Sequence, residues 1–107
     1  MAVTVYNKLV RDRIPEIIES NGQQCACETL EGKRYLEMLD AKLNEELAEY
    51  QQSKSLEELA DLLEVIRAVA TARGSSIAEV EALRASKAKS RGGFSKRIFL
   101  KEVLDER

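Results

Sequence analysis

The sequence predicts a mainly α protein: an antiparallel helical hairpin with flanking helices, completed by oligomerisation. Three observations predict it. Leu36, Leu39, Leu43, Leu47 and Tyr50 recur at helical spacing along one face. Ser55 with Glu58, and Ser76 with Glu79, place the same capping-box pattern at the start of two further helical stretches. The 107 residues include a single proline and five glycines, too few turn formers for a β-sandwich. The length suits one domain, taken as 1–107.

The elements follow in order. Val3 and Val5 alternate in an opening segment that carries Lys8, Arg11 and Arg13. Pro15 suits the first turn of a short helix running to about Ser20, with Asp12 or Arg13 near its cap, and Asn21-Gly22 marks a turn. Gln23 to Leu30 alternates loosely and reads as a short strand. A long helix is expected from about Gly32 to Gln52. The next begins after Ser55 and ends near Arg73, before Gly74; a third follows Ser76 and ends near Gly92-Gly93. The tail from Phe94 to Arg107 fits a strand, a loop or a final turn.

Composition removes several classes of function. There is no histidine, so Ser-His-Asp and Cys-His catalysis and histidine-bound zinc are excluded. No apolar run approaches the roughly 20 residues that span a bilayer. The opening residues lack the basic-then-apolar layout of a signal peptide, so a cytoplasmic location is expected. Cys25 and Cys27 then read as two reduced thiols on one face of the short strand.

Charge is divided unevenly along the chain. Residues 28–64 hold 11 acids and 4 bases, a balance of −7, whereas residues 84–107 hold 8 bases and 3 acids, a balance of +5. The acidic middle would repel a polyanion, and the tail has few interleaved aromatics, so a nucleic-acid polymer is not expected as partner. The acids themselves are patterned. Glu46 and Glu49 are spaced i,i+3 on one helix, as are Glu58 and Asp61 on the next. Both pairs flank the turn near Ser53-Lys54, which levels Glu49 with Glu58 and Glu46 with Asp61 in an antiparallel hairpin. On the wheel, Leu39, Leu43, Leu47 and Tyr50 span roughly 80°, and Glu46 lies about 20° beyond their edge. Carboxylates converging beside a leucine seam repel one another and resist desolvation unless a cation joins them. All-oxygen donors favour magnesium, manganese or calcium. The same residues have ordinary explanations: Glu and Leu are strong helix formers, and Glu58 serves as the capping partner of Ser55.

The chain resembles the MazG-like all-α nucleoside triphosphate pyrophosphohydrolases, in particular the small single-domain branch known as phosphoribosyl-ATP pyrophosphohydrolase-like. The resemblance lies in Glu45-Glu46-x-x-Glu49 followed by Glu58-x-x-Asp61. It extends to the opening Tyr6-Asn7-Lys8-Leu9-Val10-Arg11-Asp12-Arg13-Ile14-Pro15 and the closing Arg91-Gly92-Gly93-Phe94. The spacing departs from many members: eight residues separate Glu49 from Glu58, a minimal hairpin with little loop for base recognition.

The resemblance implies a hydrolase acting on a phosphoric anhydride. It would cleave a nucleoside triphosphate between the α and β phosphates, giving a monophosphate and pyrophosphate in nucleotide-pool house-cleaning. It implies Mg2+, with Mn2+ as a substitute, on Glu46, Glu49, Glu58 and Asp61. Glu45 and Glu46 would be catalytic, Glu45 by orienting the attacking water. Lys8, Arg11, Arg13, Lys87 and Arg91 would hold phosphate, with Lys89 nearby, and Phe94 would stack on a base. Lys42, one turn before Glu46, is placed to brace that carboxylate. A hairpin this long leaves a second apolar face uncovered, so a homodimer or homotetramer is expected. Two other readings share the scaffold: phosphoribosyl-ATP hydrolysis in histidine biosynthesis, and a non-catalytic helical interaction module.

Overall fold

Local signals place the helix starts. In the computed structural model, which describes residues 2–105, α1 covers Ile14–Ser20, α2 Gly32–Ser53, α3 Leu56–Ala72 and α4 Ile77–Arg91. Pro15 sits in the first turn of α1, whose cap residue is Arg13 and makes no side-chain capping bond. Ser55 and Ser76 cap α3 and α4: their Oγ atoms accept the backbone N–H of Glu58 at 3.3 Å and of Glu79 at 3.1 Å. The α2–α3 connection is only Lys54 and Ser55. Lys54 adopts the left-handed conformation, φ 57°, while its N–H closes on the Tyr50 carbonyl at 2.7 Å. Gly74, φ 82°, ends α3 in the region that side chains avoid.

The described residues contain no strand. Gln23 to Leu30 is irregular and makes no ladder of hydrogen bonds with another described segment. Cys25 and Cys27 therefore lie on a loop rather than a strand. Both are free thiols, and the Cys27 thiol donates to the Cys25 sulfur at 3.8 Å. The tail is irregular apart from a turn closed by the Arg97 N–H on the Phe94 carbonyl. Its last two residues lie outside the described range. No described helix is long and apolar enough to cross a membrane.

Helices α2 and α3 pack against each other, and α3 touches α4; α1 packs on none of them. The core is small. Leu39, Val65 and Ala70 are its only buried apolar residues among those described. On α3, Leu56, Leu59 and Leu63 remain 81%, 42% and 58% exposed, and Leu47 of α2 is also uncovered. The radius of gyration is 19.2 Å, against about 13 Å for a compact domain of this length. The accessible surface is 9968 Å², where a compact 12 kDa monomer exposes about 6,000 Å². One chain alone leaves many of its large apolar side chains exposed.

Candidate metal centre

The two acid pairs flank the short connection because α2 and α3 each present them within the turns nearest Lys54. Their convergence has one hub. Glu45, Glu46 and Glu49 form one group, and Glu46, Glu58 and Asp61 form a second; in each, the carboxylate oxygens lie within 4.8 Å of one another. Glu46 belongs to both, bridging the two helices. Glu46 and Asp61 meet across the two helices as the spacing suggested, while Glu49 falls in the group formed on its own helix.

Glu46 is only 6% exposed, the single buried charged residue among those described. Lys42, one turn earlier, lies 3.4 Å from Glu46 Oε1 and 3.1 Å from Glu45 Oε2. The second oxygen of Glu46 has no such relief: Glu46 Oε2 is buried without a hydrogen-bond partner. Burial and then the Glu49 carboxylate push the Glu46 pKa above its ordinary value, against the pull of Lys42. Glu58 Oε2 is likewise buried and unpartnered. The Ser55 cap uses the Glu58 backbone N–H, while the Glu58 carboxylate returns no bond, so capping does not explain where that carboxylate points. Two orphaned oxygens in one cluster are what a hard cation would satisfy.

The opening segment reaches the same place. Lys8 Nζ bonds Glu45 Oε1 at 3.0 Å, and Arg11 bonds Asp61 Oδ1 at 2.8 Å. Burial pushes the Glu45 carboxyl up, but hydrogen bonds from Lys8 and Lys42 outweigh it and hold its pKa below the ordinary value. The bond to Glu45 in turn raises the Lys8 pKa. Arg13 does not join them. It pairs with Glu16 on its own helix at 3.3 Å.

The basic end stands apart. Lys87, Arg91 and Phe94 line a groove on α4 with Arg84 and Gly93, and α4 makes no contact with α2. Sequence reasoning put Lys8 and Arg11 near phosphate but had no means of naming their acidic partners, which lie 37 and 50 residues away. The central position of Glu46 also escaped it. The one available sign was the place of Glu46 beside the leucine seam.

No protein-family model matches the chain, and no solved structure matches it. A curated protein of Mycolicibacterium smegmatis (strain ATCC 700084 / mc(2)155), described only as uncharacterized, is 52% identical over 42 residues. That stretch is 39% of this chain and 43% of the relative, so the chain spans less than half of the relative's length.

Proposed function

We propose that the chain is a magnesium-dependent nucleoside triphosphate pyrophosphohydrolase of the MazG-like kind, with α2 and α3 as the central hairpin of an oligomeric bundle. The buried, unpartnered oxygens of Glu46 and Glu58, clustered with Asp61, carry this reading. Glu46, Glu58 and Asp61 would hold the ion, with Glu49 adding charge beside Glu46. A divalent cation there would supply charge neutralisation for the phosphoryl groups and acidify water.

The remaining steps fall to the chain's own residues. Phosphoryl transfer needs positioning and charge compensation rather than a protein nucleophile, and a chain without histidine meets that need. Glu45 is kept ionised by Lys8 and Lys42, which suits it to orient water by accepting its hydrogen. Water adds across the α–β anhydride, the bond to the β phosphate breaks, and pyrophosphate leaves. Lys8 and Arg11, already at the acid cluster, would exchange a carboxylate for phosphate when nucleotide enters.

Pyrophosphate release from a panel of nucleoside triphosphates and phosphoribosyl-ATP, with and without Mg2+, tests the reading. Magnesium-dependent release that Glu46→Gln abolishes is expected. No release from any member of the panel, from a chain that magnesium nevertheless stabilises, would overturn the enzyme reading and leave the interaction module.

A further inference from the structure

We infer that Cys25 and Cys27 form a two-thiolate clip for one soft, monovalent cation of the copper(I) kind. This metal site is separate from the acid cluster and independent of the pyrophosphohydrolase reading.

The two sulfurs already converge. Only Ala26 separates the cysteines in the chain, both are free, and the Cys27 thiol donates to the Cys25 sulfur at 3.8 Å. A metal–thiolate bond measures about 2.3 Å, so two of them hold their sulfurs about 3.8 Å apart at a tetrahedral angle and about 4.6 Å apart in a straight line. The pair stands at the near end of that range before any ion enters. A disulfide would instead draw the sulfurs in to about 2.05 Å and close a tight ring across a single intervening residue.

Donor chemistry selects the ion. Thiolates favour soft metals, copper(I) and zinc among them. Zinc in a structural site takes four ligands, and the chain has no histidine to add. Among the described residues, neither cysteine belongs to a group of three candidate ligands. Glu28, next to Cys27, is committed to Arg34 at 2.6 Å. Two sulfur donors remain, and copper(I) is stable with two or three ligands. Magnesium is hard and takes oxygen, so the acids of α2 and α3 do not compete with this loop for one metal.

The loop is built to accept the ion. Cys25 is half-buried and Cys27 exposed, which leaves the pair open to solvent on one side. Among the described residues, the backbone N–H groups of residues 24–30 donate to no backbone carbonyl, and α1, just before them, packs on no other helix. The sulfurs can therefore spread toward a wider angle without breaking a backbone hydrogen bond or a core contact. On binding, each S–H bond breaks, its proton passes to solvent and the sulfur lone pair forms the bond to the metal. Copper stays monovalent throughout, and no electron is transferred.

The test titrates the reduced, full-length chain, without oxygen, against the coloured copper(I) complex of bicinchoninate. Wild type should draw one copper(I) per chain from the chelator. Cys25→Ser and Cys27→Ser should each weaken retention by more than about a hundredfold, beyond the loss usual for a residue that only supports a ligand. Neither cysteine is buried, so both variants should keep wild-type helicity. Iodoacetamide should alkylate both cysteines of the free chain and neither of the loaded one. Glu46→Gln should bind copper(I) as wild type does, and excess Mg2+ should release none. Copper left on the chelator by wild type, wild-type retention in either serine variant, or one ion shared by two chains overturns the inference. Copper lost from Glu46→Gln would place the ion among the acids and overturn it too.

Discussion

Glu46 and Glu58, on different helices, each bury one carboxylate oxygen that finds no hydrogen-bond partner, and the two carboxylates share a cluster with Asp61. Lys42 answers only the other oxygen of Glu46. The cluster is therefore short of positive charge, and its response to cations is the most direct measurement to make.

Magnesium or manganese at a hundred times its dissociation constant should stabilise the fold by about 2.7 kcal/mol. For a chain of this size that raises the melting temperature by roughly 10 °C. Glu46→Gln should lose this shift while raising the metal-free melting temperature, because it removes a buried charge and its repulsion with Glu49 and Asp61. Identical melting curves with and without the ion would remove the metal assignment.

The pH dependence separates Glu46 from Glu45. The folded pKa of Glu46 is raised, so its charge costs stability at neutral pH; that cost should fade as pH drops through the raised value toward the ordinary carboxylate one. Glu45 is lowered, so the stability from Lys8 and Lys42 is present above the ordinary carboxylate value and lost as pH falls through the depressed one. Denaturant midpoints of the metal-free chain across the acid range should show both: Glu46→Gln flattens the upper window and Glu45→Gln the lower.

Lys42 holds two carboxylates with its own side chain largely covered. Lys42→Met should cost about 1.5–3 kcal/mol without metal, the usual worth of hydrogen bonds to charged groups. Removing a competing cation should also tighten magnesium binding. Calorimetric titration that finds weaker binding would mean that Lys42 positions the ligands rather than competing with the ion.

Arg11 pairs with Asp61 at an exposed position, where such a pair contributes at most about 1 kcal/mol. Arg11→Ala should leave melting almost unchanged and lower kcat/KM for a triphosphate about ten- to a hundredfold. Wild-type kinetics in this variant would show that the opening segment serves the fold only.

Leu59 and Leu63 are exposed in the single chain, where a polar replacement ordinarily changes stability by no more than about 0.5 kcal/mol. If a second chain covers them, Leu63→Glu should split the assembly and unfold much of the protein. Light scattering and circular dichroism on the same sample would show both, and a stable monomer of wild-type helicity in each would refute the bundle.

The sequence by itself determined the helices and the chemistry they carry. The boundaries of α3 and α4 rest on Ser55, Ser76 and Gly74, whose effects act within one turn of chain, and the 3.6-residue period puts Leu36, Leu39, Leu43 and Tyr50 on the more covered side of α2, though Leu47 in the same series stays exposed. The acids at i,i+3 needed nothing further to share a side of their helices. Tertiary structure alone decided which carboxylates meet, because that depends on how α2 and α3 lie against each other across Lys54. It made Glu46 the hub and grouped Glu49 with its own helix. It decided which oxygens lose water, since burial is set by neighbours distant in sequence. It also left Gln23 to Leu30 without a strand partner, as β structure exists only where a second segment completes the hydrogen bonds. Lys8 and Arg11 reach Glu45 and Asp61 for the same reason: pairing across tens of residues follows from the path of the folded chain and leaves no periodic trace in the sequence.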